Sequence, residues 1–228
     1  KERTQTFVFD NVGKMPLLSI NRGYNAPILI KQNLPPQKYL QVWREDSDAY
    51  NRYQAGQNYM EHAIEKILKG ENINFLNYLS SWGRILEENI DKAFKAYLIA
   101  LPNVNNFVQL HELVDMQKLV TSYAEMAKVT ASNYEQKILQ MYETHKTGDD
   151  AFTPSEVGRR QLVSELLYYI NAQNHEDIIL KHYYNATSMT DKINALNLIK
   201  NFESDEFFKA FEHFENEYKD EDIAMNYW

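Results

Sequence analysis

The chain has 228 residues, a formal net charge of −8 and no cysteine. The length is sufficient for one large or two small domains with cores of their own. The acidic balance argues against nucleic acid and against a membrane surface as partners, since both require a basic patch. The lack of cysteine excludes disulfides, thiol nucleophiles and thiolate metal sites, and it suits a cytoplasmic protein. No stretch of the sequence has the roughly 18 continuous apolar residues that a membrane helix needs.

The first 33 residues predict short β-strands. Phe7 and Phe9 alternate with Thr6 and Val8, and further short runs lie at 17–20 and 26–30, where Pro27 stands at the beginning of its strand. Three such strands cannot form a two-sided sheet by themselves. We therefore expect residues 1–33 to be the C-terminal strands of a small, truncated β-sandwich domain.

Residues 34–228 predict a helical domain, truncated at its C-terminal end. Gly and Pro are scarce, at 7 and 6, which favours long helices. Apolar residues recur every three or four positions, and a Thr153-Pro154-Ser155-Glu156 capping box opens one helix. For 115–146 the pattern allows one helix or two with a break near Val129-Thr130. The predicted helices cover 37–45, 48–69, 74–88, 91–100, 115–146, 154–171, 175–185, Thr190 (as cap) to Phe202, Ser204 (as cap) to Tyr218, and 221–228.

The fold prediction is mainly α. Because no strict repeat period appears, we expect an irregular antiparallel α-solenoid, a superhelical array of the HEAT or armadillo kind, preceded by a few β-strands. An aromatic stripe on the helix that ends at Tyr218 is interpreted as core rather than as a ligand site. The stripe consists of Phe207, Phe208, Phe211, Phe214 and Tyr218.

Two His-Glu pairs match the first two positions of the zinc peptidase motif His-Glu-x-x-His, which places two imidazoles one helical turn apart. The fifth position is Asp115 after His111-Glu112 and Ile179 after His175-Glu176, so neither pair is a zinc helix. Phosphate loops and nucleophile elbows are also missing from the sequence. Arg159-Arg160 could bind an anion, but many carboxylates lie nearby and favour a structural ion pair. We therefore predict no catalytic, cofactor or metal site in this chain.

A series of segments, in order along the whole chain, resembles bacterial alanyl aminopeptidase, the aminopeptidase N family of gluzincin zinc metallopeptidases. No one segment is sufficient alone, and Tyr53 and Gly56 depart from the pattern. The positions that carry the family-like structural motif are Phe9, Asp10, Asn11, Pro16, Ala26, Pro27, Arg160, Met189, Thr190 and Asp191. Similar segments are 48–57, Leu101-Pro102-Asn103-Val104 and Met225-Asn226-Tyr227-Trp228.

The resemblance implies that the chain covers the end of a small β-sandwich domain and the first part of a C-terminal helical domain. It implies zinc in the parent enzyme, peptides as substrates and the catalytic domain of the same polypeptide as partner. The family's His-Glu-x-x-His and Gly-Ala-Met-Glu-Asn motifs have no counterpart here, so no catalytic or zinc residue is carried over. The expected role is to cover the catalytic cleft and restrict access to it, without activity of its own.

Two alternatives stay open. The chain could be an independent helical-repeat scaffold that binds a protein or peptide in its concave face. It could also be a divergent metal-dependent helical enzyme, for which the scattered histidines would have to converge in the fold.

Overall fold

The computed structural model describes residues 3–13, 16–28, 30, 32, 34–109, 114–149, 151–202 and 204–222. Within these ranges the architecture is a mainly α array, as predicted. Its helices are α1 (Pro36–Glu45), α2 (Ala49–Leu68), α3 (Leu76–Glu87), α4 (Lys92–Ile99), α5 (Val104–Gln109), α6 (Met116–His145), α7 (Pro154–Asn171), α8 (Glu176–Asn185), α9 (Met189–Ile199) and α10 (Glu206–Tyr218).

The helices pack mostly on near neighbours in the sequence, as expected for an array. α1 packs on α2, α6 on α7 and α8 on α9, while α7 also contacts α4 and α9. Among the described residues, no helix is both long enough and apolar enough to cross a bilayer.

The strands predicted for the first 33 residues are not formed by any of the residues described there. Thr6–Phe9 is irregular, and the regular element of this segment is a single 3₁₀ turn at Arg22–Tyr24. An extended segment becomes a strand only when its N–H and C=O groups pair with a second strand. Phe7 and Phe9 are 70% and 78% exposed. The alternation in the sequence is therefore not accompanied by packing against a second strand.

The long segment after Asp115 forms the element α6, which has a kink inside it. Asp115 caps α6 by accepting a hydrogen bond from the Lys118 N–H at 3.1 Å. The helix is distorted at Tyr134, where φ is −126° and ψ is 18°, rather than near Val129-Thr130. There the Tyr134 hydroxyl donates to the Leu79 carbonyl at 2.7 Å, which ties the distortion to α3.

The start of α7 has one of the two hydrogen bonds of the predicted capping box. Thr153 Oγ1 accepts from the Glu156 N–H at 3.3 Å, with Pro154 in the first turn. The Glu156 carboxylate does not complete a capping box, because its Oε2 instead accepts from Arg159 Nε at 2.7 Å. An ionic partner is a stronger donor than a backbone amide, which accounts for the choice.

Two other predicted caps are wrong. α9 is capped by Ser188, whose Oγ accepts from the Asp191 N–H at 3.1 Å, so Thr190 lies inside the helix. The N-cap of α10 is Asp205 rather than Ser204, and its side chain makes no capping bond. The predicted helix 221–228 lies mostly outside the described residues.

The aromatic stripe of α10 is core only in part. Phe214 is 1% exposed, whereas Phe208 is 68% exposed. Phe207 and Tyr218 are partly buried and pack against the main core.

The C-terminal end of α4 is the point at which four other helices meet. The last carbonyls of a helix have no partner within the helix, and here buried side chains donate to them. Leu101-Pro102 then ends α4, because proline cannot continue the ladder. The donors are Trp43 Nε1 to Leu98 O (3.2 Å), Trp82 Nε1 and Tyr169 Oη to Ile99 O (3.3 and 2.6 Å) and Gln57 Nε2 to Ala100 O (3.1 Å).

Candidate interaction surface

A tight turn before α1 has a fixed backbone conformation. Asn21, Gly23 and Tyr24 have φ angles of 53°, 70° and 51°, in the left-handed region that side chains other than glycine seldom occupy. The Asn21 side chain closes the turn, because its Nδ2 donates to Ala26 O at 2.9 Å and its Oδ1 accepts from the Ala26 N–H at 3.1 Å. A non-glycine residue such as Tyr24 holds this conformation only where its surroundings impose it.

The turn is attached to the α1–α2 connection by polar contacts. Arg22 donates to Asp46 Oδ1 at 2.8 Å and to Ser47 Oγ at 2.6 Å, and the Gly23 N–H donates to Asp48 Oδ2 at 2.7 Å. Burial alone would raise the pKa of the Asp46 carboxyl. Hydrogen bonds to Asp46, including the one from Arg22, outweigh burial and bring its pKa below 3.8. The ionised carboxylate therefore holds the turn in place at neutral pH.

A cavity of about 620 Å³ lies between this segment and the first two helices. Asn51 at the start of α2 spans its edge, donating to Ser19 Oγ at 2.8 Å and to Ile20 O at 3.1 Å. The rings of Tyr24 and Tyr50 lie 4.7 Å apart at the same edge. The walls are largely apolar and include Leu18, Ile28, Tyr39 and Val42.

Exposed apolar side chains are concentrated in this segment. Phe7, Val8 and Phe9 are each at least 70% exposed, and Leu18 and Ile28 are 56% and 53% exposed. Single exposed apolar residues are normal, but a concentration of them marks an interaction site. We call residues 3–13 and 16–28 with the α1–α2 connection the junction surface. This surface combines exposed apolar side chains with a turn whose conformation is held by hydrogen bonds.

The family-like positions predicted from the sequence fall into two separate groups in the structure. Phe9, Asp10, Asn11, Pro16, Ala26 and Pro27 belong to the junction surface, where all but the half-buried Ala26 are exposed. Arg160, Met189, Thr190 and Asp191 lie on α7 and α9. Nothing in the sequence directly indicates the contacts with Asp46 and Asp48, although Asn21-Arg22-Gly23 is a clear turn signal.

One member of the second group, Asp191, belongs to an ion-pair network between α7 and α9 that also contains Arg159 and Glu156. Arg159 donates to Glu156 at 2.7 Å, to Asp191 Oδ2 at 3.0 Å and to His145 O at 3.2 Å. Burial alone would lower the pKa of Arg159, but these two carboxylates raise it above its ordinary value. Arg159 and Asp191 are only 3% and 5% exposed, so the pair is structural and is closed to an external anion.

Arg160 is also used internally. Its guanidinium donates to Asp149 O at 3.2 Å and to Ala151 O at 3.1 Å, fixing the loop before α7. The expectation that Arg159-Arg160 is structural rather than anion-binding agrees with these contacts.

The described residues do not fit a zinc ion. Among them no three His, Asp, Glu or Cys side chains come together. His175 pairs with Glu135 at 2.7 Å, and His182 Nδ1 lies 3.1 Å from the Tyr142 hydroxyl. His111-Glu112 lies outside the described residues. No catalytic step through a metal is therefore derived from this chain.

Residues 36–228 match the family model described as "Domain of unknown function (DUF3458_C) ARM repeats". Similar curated proteins include aminopeptidase N of Caulobacter vibrioides, 25% identical over 98% of this chain, and aminopeptidase N of Escherichia coli, 22% identical over 85% of it. These alignments cover 27% and 23% of the relatives, so the chain spans about a quarter of their length.

A similar solved structure is that of Legionella pneumophila aminopeptidase A in complex with aspartic acid. It matches 96% of this chain and 28% of that protein, with a TM-score of 0.87 and 21% identity, which supports the fold. The resemblance to aminopeptidase N seen in the sequence is confirmed by the curated relatives. The chain belongs to the family described as "Domain of unknown function (DUF3458_C) ARM repeats".

Proposed function

We propose that this chain is the non-catalytic helical portion of a zinc-dependent aminopeptidase that removes N-terminal residues from peptides in the cytoplasm. The observation that carries the proposal is the alignment of 98% of the chain with about a quarter of aminopeptidase N. The described residues contain no candidate metal cluster. The zinc ligands, the general base and the residues that hold the peptide amino terminus would therefore lie in the remaining part of the parent polypeptide.

The partner of the junction surface is the catalytic portion of the same polypeptide. Two features support this assignment. The turn at Asn21–Tyr24 is held rigidly by Asp46 and Asp48, so its exposed face is preorganised for contact. Phe7, Val8 and Phe9, earlier in the same segment, present apolar surface that a folded partner would remove from water.

The role of the helical array is to limit which peptides reach the catalytic cleft. An array that covers a cleft sequesters the reaction from bulk water and admits narrow, flexible chain ends rather than folded proteins. By itself the array performs no hydrolysis.

A chimera tests this proposal. The 228 residues replace the matching segment of Caulobacter aminopeptidase N, and hydrolysis of an alanyl dipeptide is compared with that of a folded protein with an N-terminal alanine. We expect zinc-dependent cleavage of the dipeptide, slow cleavage of the folded protein, and no activity from the chain alone. A control chimera carries Lys128→Gln, an exposed change on α6 away from the junction surface.

Two results would contradict the proposal. A chimera that folds and binds zinc but cleaves both substrates equally would show that the array does not restrict access. A chain that binds unrelated peptides tightly but does not associate with the catalytic portion would favour an independent scaffold instead.

A further inference from the structure

The cavity between the segment before α1 and the first two helices has a volume of about 620 Å³, within the usual range of ligand-binding cavities. We call it the junction cavity. None of the described residues that line it is charged, although a quarter of the residues in the chain are. A charged occupant would lose its hydration there without gaining an ionic partner from these residues. The lining therefore selects an uncharged occupant.

Several polar side chains of the lining already bond within the protein. The Tyr39 hydroxyl donates to Gln32 O at 2.7 Å, and Gln54 Nε2 donates to Asn58 Oδ1 at 2.9 Å. Gln32 Nε2 has no partner among the described residues, but this nitrogen is itself buried, so an occupant of the cavity does not reach it. Apolar contact is therefore the main interaction that the lining offers.

Part of this apolar lining is exposed to water. Leu18, Tyr24 and Ile28 are each more than half exposed and Tyr50 is 41% exposed, whereas Val42 on α1 is buried. Covering the exposed side chains would remove apolar surface from water, which is favourable. Protein interfaces commonly place an anchoring side chain in a pocket of this kind, at the centre of the contact.

We propose that the junction cavity receives an uncharged apolar side chain of the catalytic portion of the same polypeptide. This inference rests on the proposed function and deepens it, because it names the contact that anchors the two portions. The cavity is lined by Leu18 and Ile28 of the junction surface, so a partner that covers these residues also reaches the cavity. The turn at Asn21–Tyr24 fixes one wall in advance, which lowers the entropic cost of the contact.

The first part of the test uses the 228-residue chain and three probes that share a benzene ring, namely benzyl alcohol, benzoate and benzylammonium. Each is titrated to about 10 mM while NMR follows the isoleucine methyl groups. We expect benzyl alcohol to shift the signals of Ile20 and Ile28, which line the cavity, and to leave that of the buried Ile179 on α8 unchanged. The two charged probes should bind at least about tenfold more weakly.

A pair of matched variants assigns the binding to this cavity. Leu18→Asp places a carboxylate in the lining and should weaken the binding of benzyl alcohol about tenfold. Leu76→Asp is the control, because Leu76 is 71% exposed on α3 and does not line the junction cavity. This control should leave the binding unchanged. Both side chains are exposed, so neither change is expected to unfold the protein.

The second part of the test identifies the occupant. In the chimera with Caulobacter aminopeptidase N the catalytic portion should fill the junction cavity, so benzyl alcohol should no longer shift the signals of Ile20 and Ile28. Zinc-dependent cleavage of the alanyl dipeptide reports on the proposed function in the same sample, and the two results are therefore read separately.

Several results would overturn the inference. Probes that bind equally well whatever their charge, or that do not bind at all, would show that the lining does not select an apolar occupant. An active chimera that binds benzyl alcohol as the isolated chain does would remove the catalytic portion as occupant and leave the proposed function intact. An inactive chimera would count against the proposed function and, with it, against this occupant. Dimers of the isolated chain that Leu18→Asp dissociates would make a second copy the occupant.

Discussion

Gly56, in the middle of α2, faces Trp43, and the Gly56→Ala variant tests how closely α1 and α2 approach. A Cβ added at Gly56 would lie 2.6 Å from Trp43 Nε1 and 2.8 Å from its Cδ1, closer than real Cβ contacts. The indole cannot easily move away, because Trp43 is fully buried and its Nε1 donates to Leu98 O at 3.2 Å.

Two opposing terms decide the effect of this change. Alanine is preferred over glycine inside a helix by about 1 kcal/mol. Overpacking costs about 1–3 kcal/mol, and weakening the bond to Leu98 O adds about 1 kcal/mol. We therefore expect Gly56→Ala to lower the free energy of unfolding by about 1–3 kcal/mol, measured by urea denaturation with far-ultraviolet circular dichroism.

Two further comparisons separate the effect of the Trp43 contact from the general effect of alanine in a helix. His62, an exposed residue of the same helix, gives the baseline, since His62→Ala should be about 1 kcal/mol more stable than His62→Gly. In a Trp43→Leu background, where the indole is gone, Gly56→Ala should cost at least about 1 kcal/mol less than in the wild type. A Gly56→Ala protein as stable as the wild type would refute the close approach of the two helices.

Three other variants test polar groups within the helical array. Burial raises the pKa of Glu165 to about 7, so the native state keeps a proton that the unfolded state loses above 4.5. The stability of the wild type relative to Glu165→Gln, compared by urea denaturation, should therefore fall by about 1–3 kcal/mol between about pH 5 and pH 7. Asp191→Ala should cost about 2–4 kcal/mol in urea denaturation, and less when Arg159→Met is already present. Tyr169→Phe, which removes the donor to Ile99 O, should cost about 1 kcal/mol in the same assay.

The matched control for the ion-pair variant is Arg84→Ala. Arg84 is exposed and lies 4.0 Å from Glu45. Its removal should change stability by less than about 0.5 kcal/mol. A stability difference between the wild type and Glu165→Gln that does not change between about pH 5 and pH 7 would contradict the raised pKa of Glu165. If the stability losses of Asp191→Ala and Arg159→Met simply add, the predicted coupling of this pair is wrong. If Tyr169→Phe leaves the stability unchanged, the predicted contribution of the bond to Ile99 O is wrong.

Helices were predicted well from the sequence because the spacing of apolar residues that indicates a helix lies within the segment itself. The pattern over 48–69 gave α2, observed at Ala49–Leu68, and the scarcity of glycine and proline indicated a helical array. The N-cap residues were harder to predict. Ser and Thr are both good N-cap residues, so the sequence did not distinguish Ser188 from Thr190. In the structure Ser188 caps α9, and the Asp191 carboxylate also accepts a hydrogen bond from Arg159.

The features that were missed depend on distant residues. Alternation in 6–9 is a strand signal, but a strand requires a partner that the local sequence does not specify. The junction surface was indicated only as a turn at Asn21-Arg22-Gly23, because its attachment to Asp46 and Asp48 joins residues about 25 positions apart. The junction cavity likewise forms only where residues from separate parts of the chain come together.

The central claim is that this chain is the helical portion of a zinc aminopeptidase, and reading the gene that encodes it tests this most directly. Our account predicts an open reading frame that encodes His-Glu-x-x-His with a more distal Glu, and a Gly-Ala-Met-Glu-Asn segment, upstream of this chain. A frame in which neither motif occurs would contradict the account and would favour an independent helical scaffold.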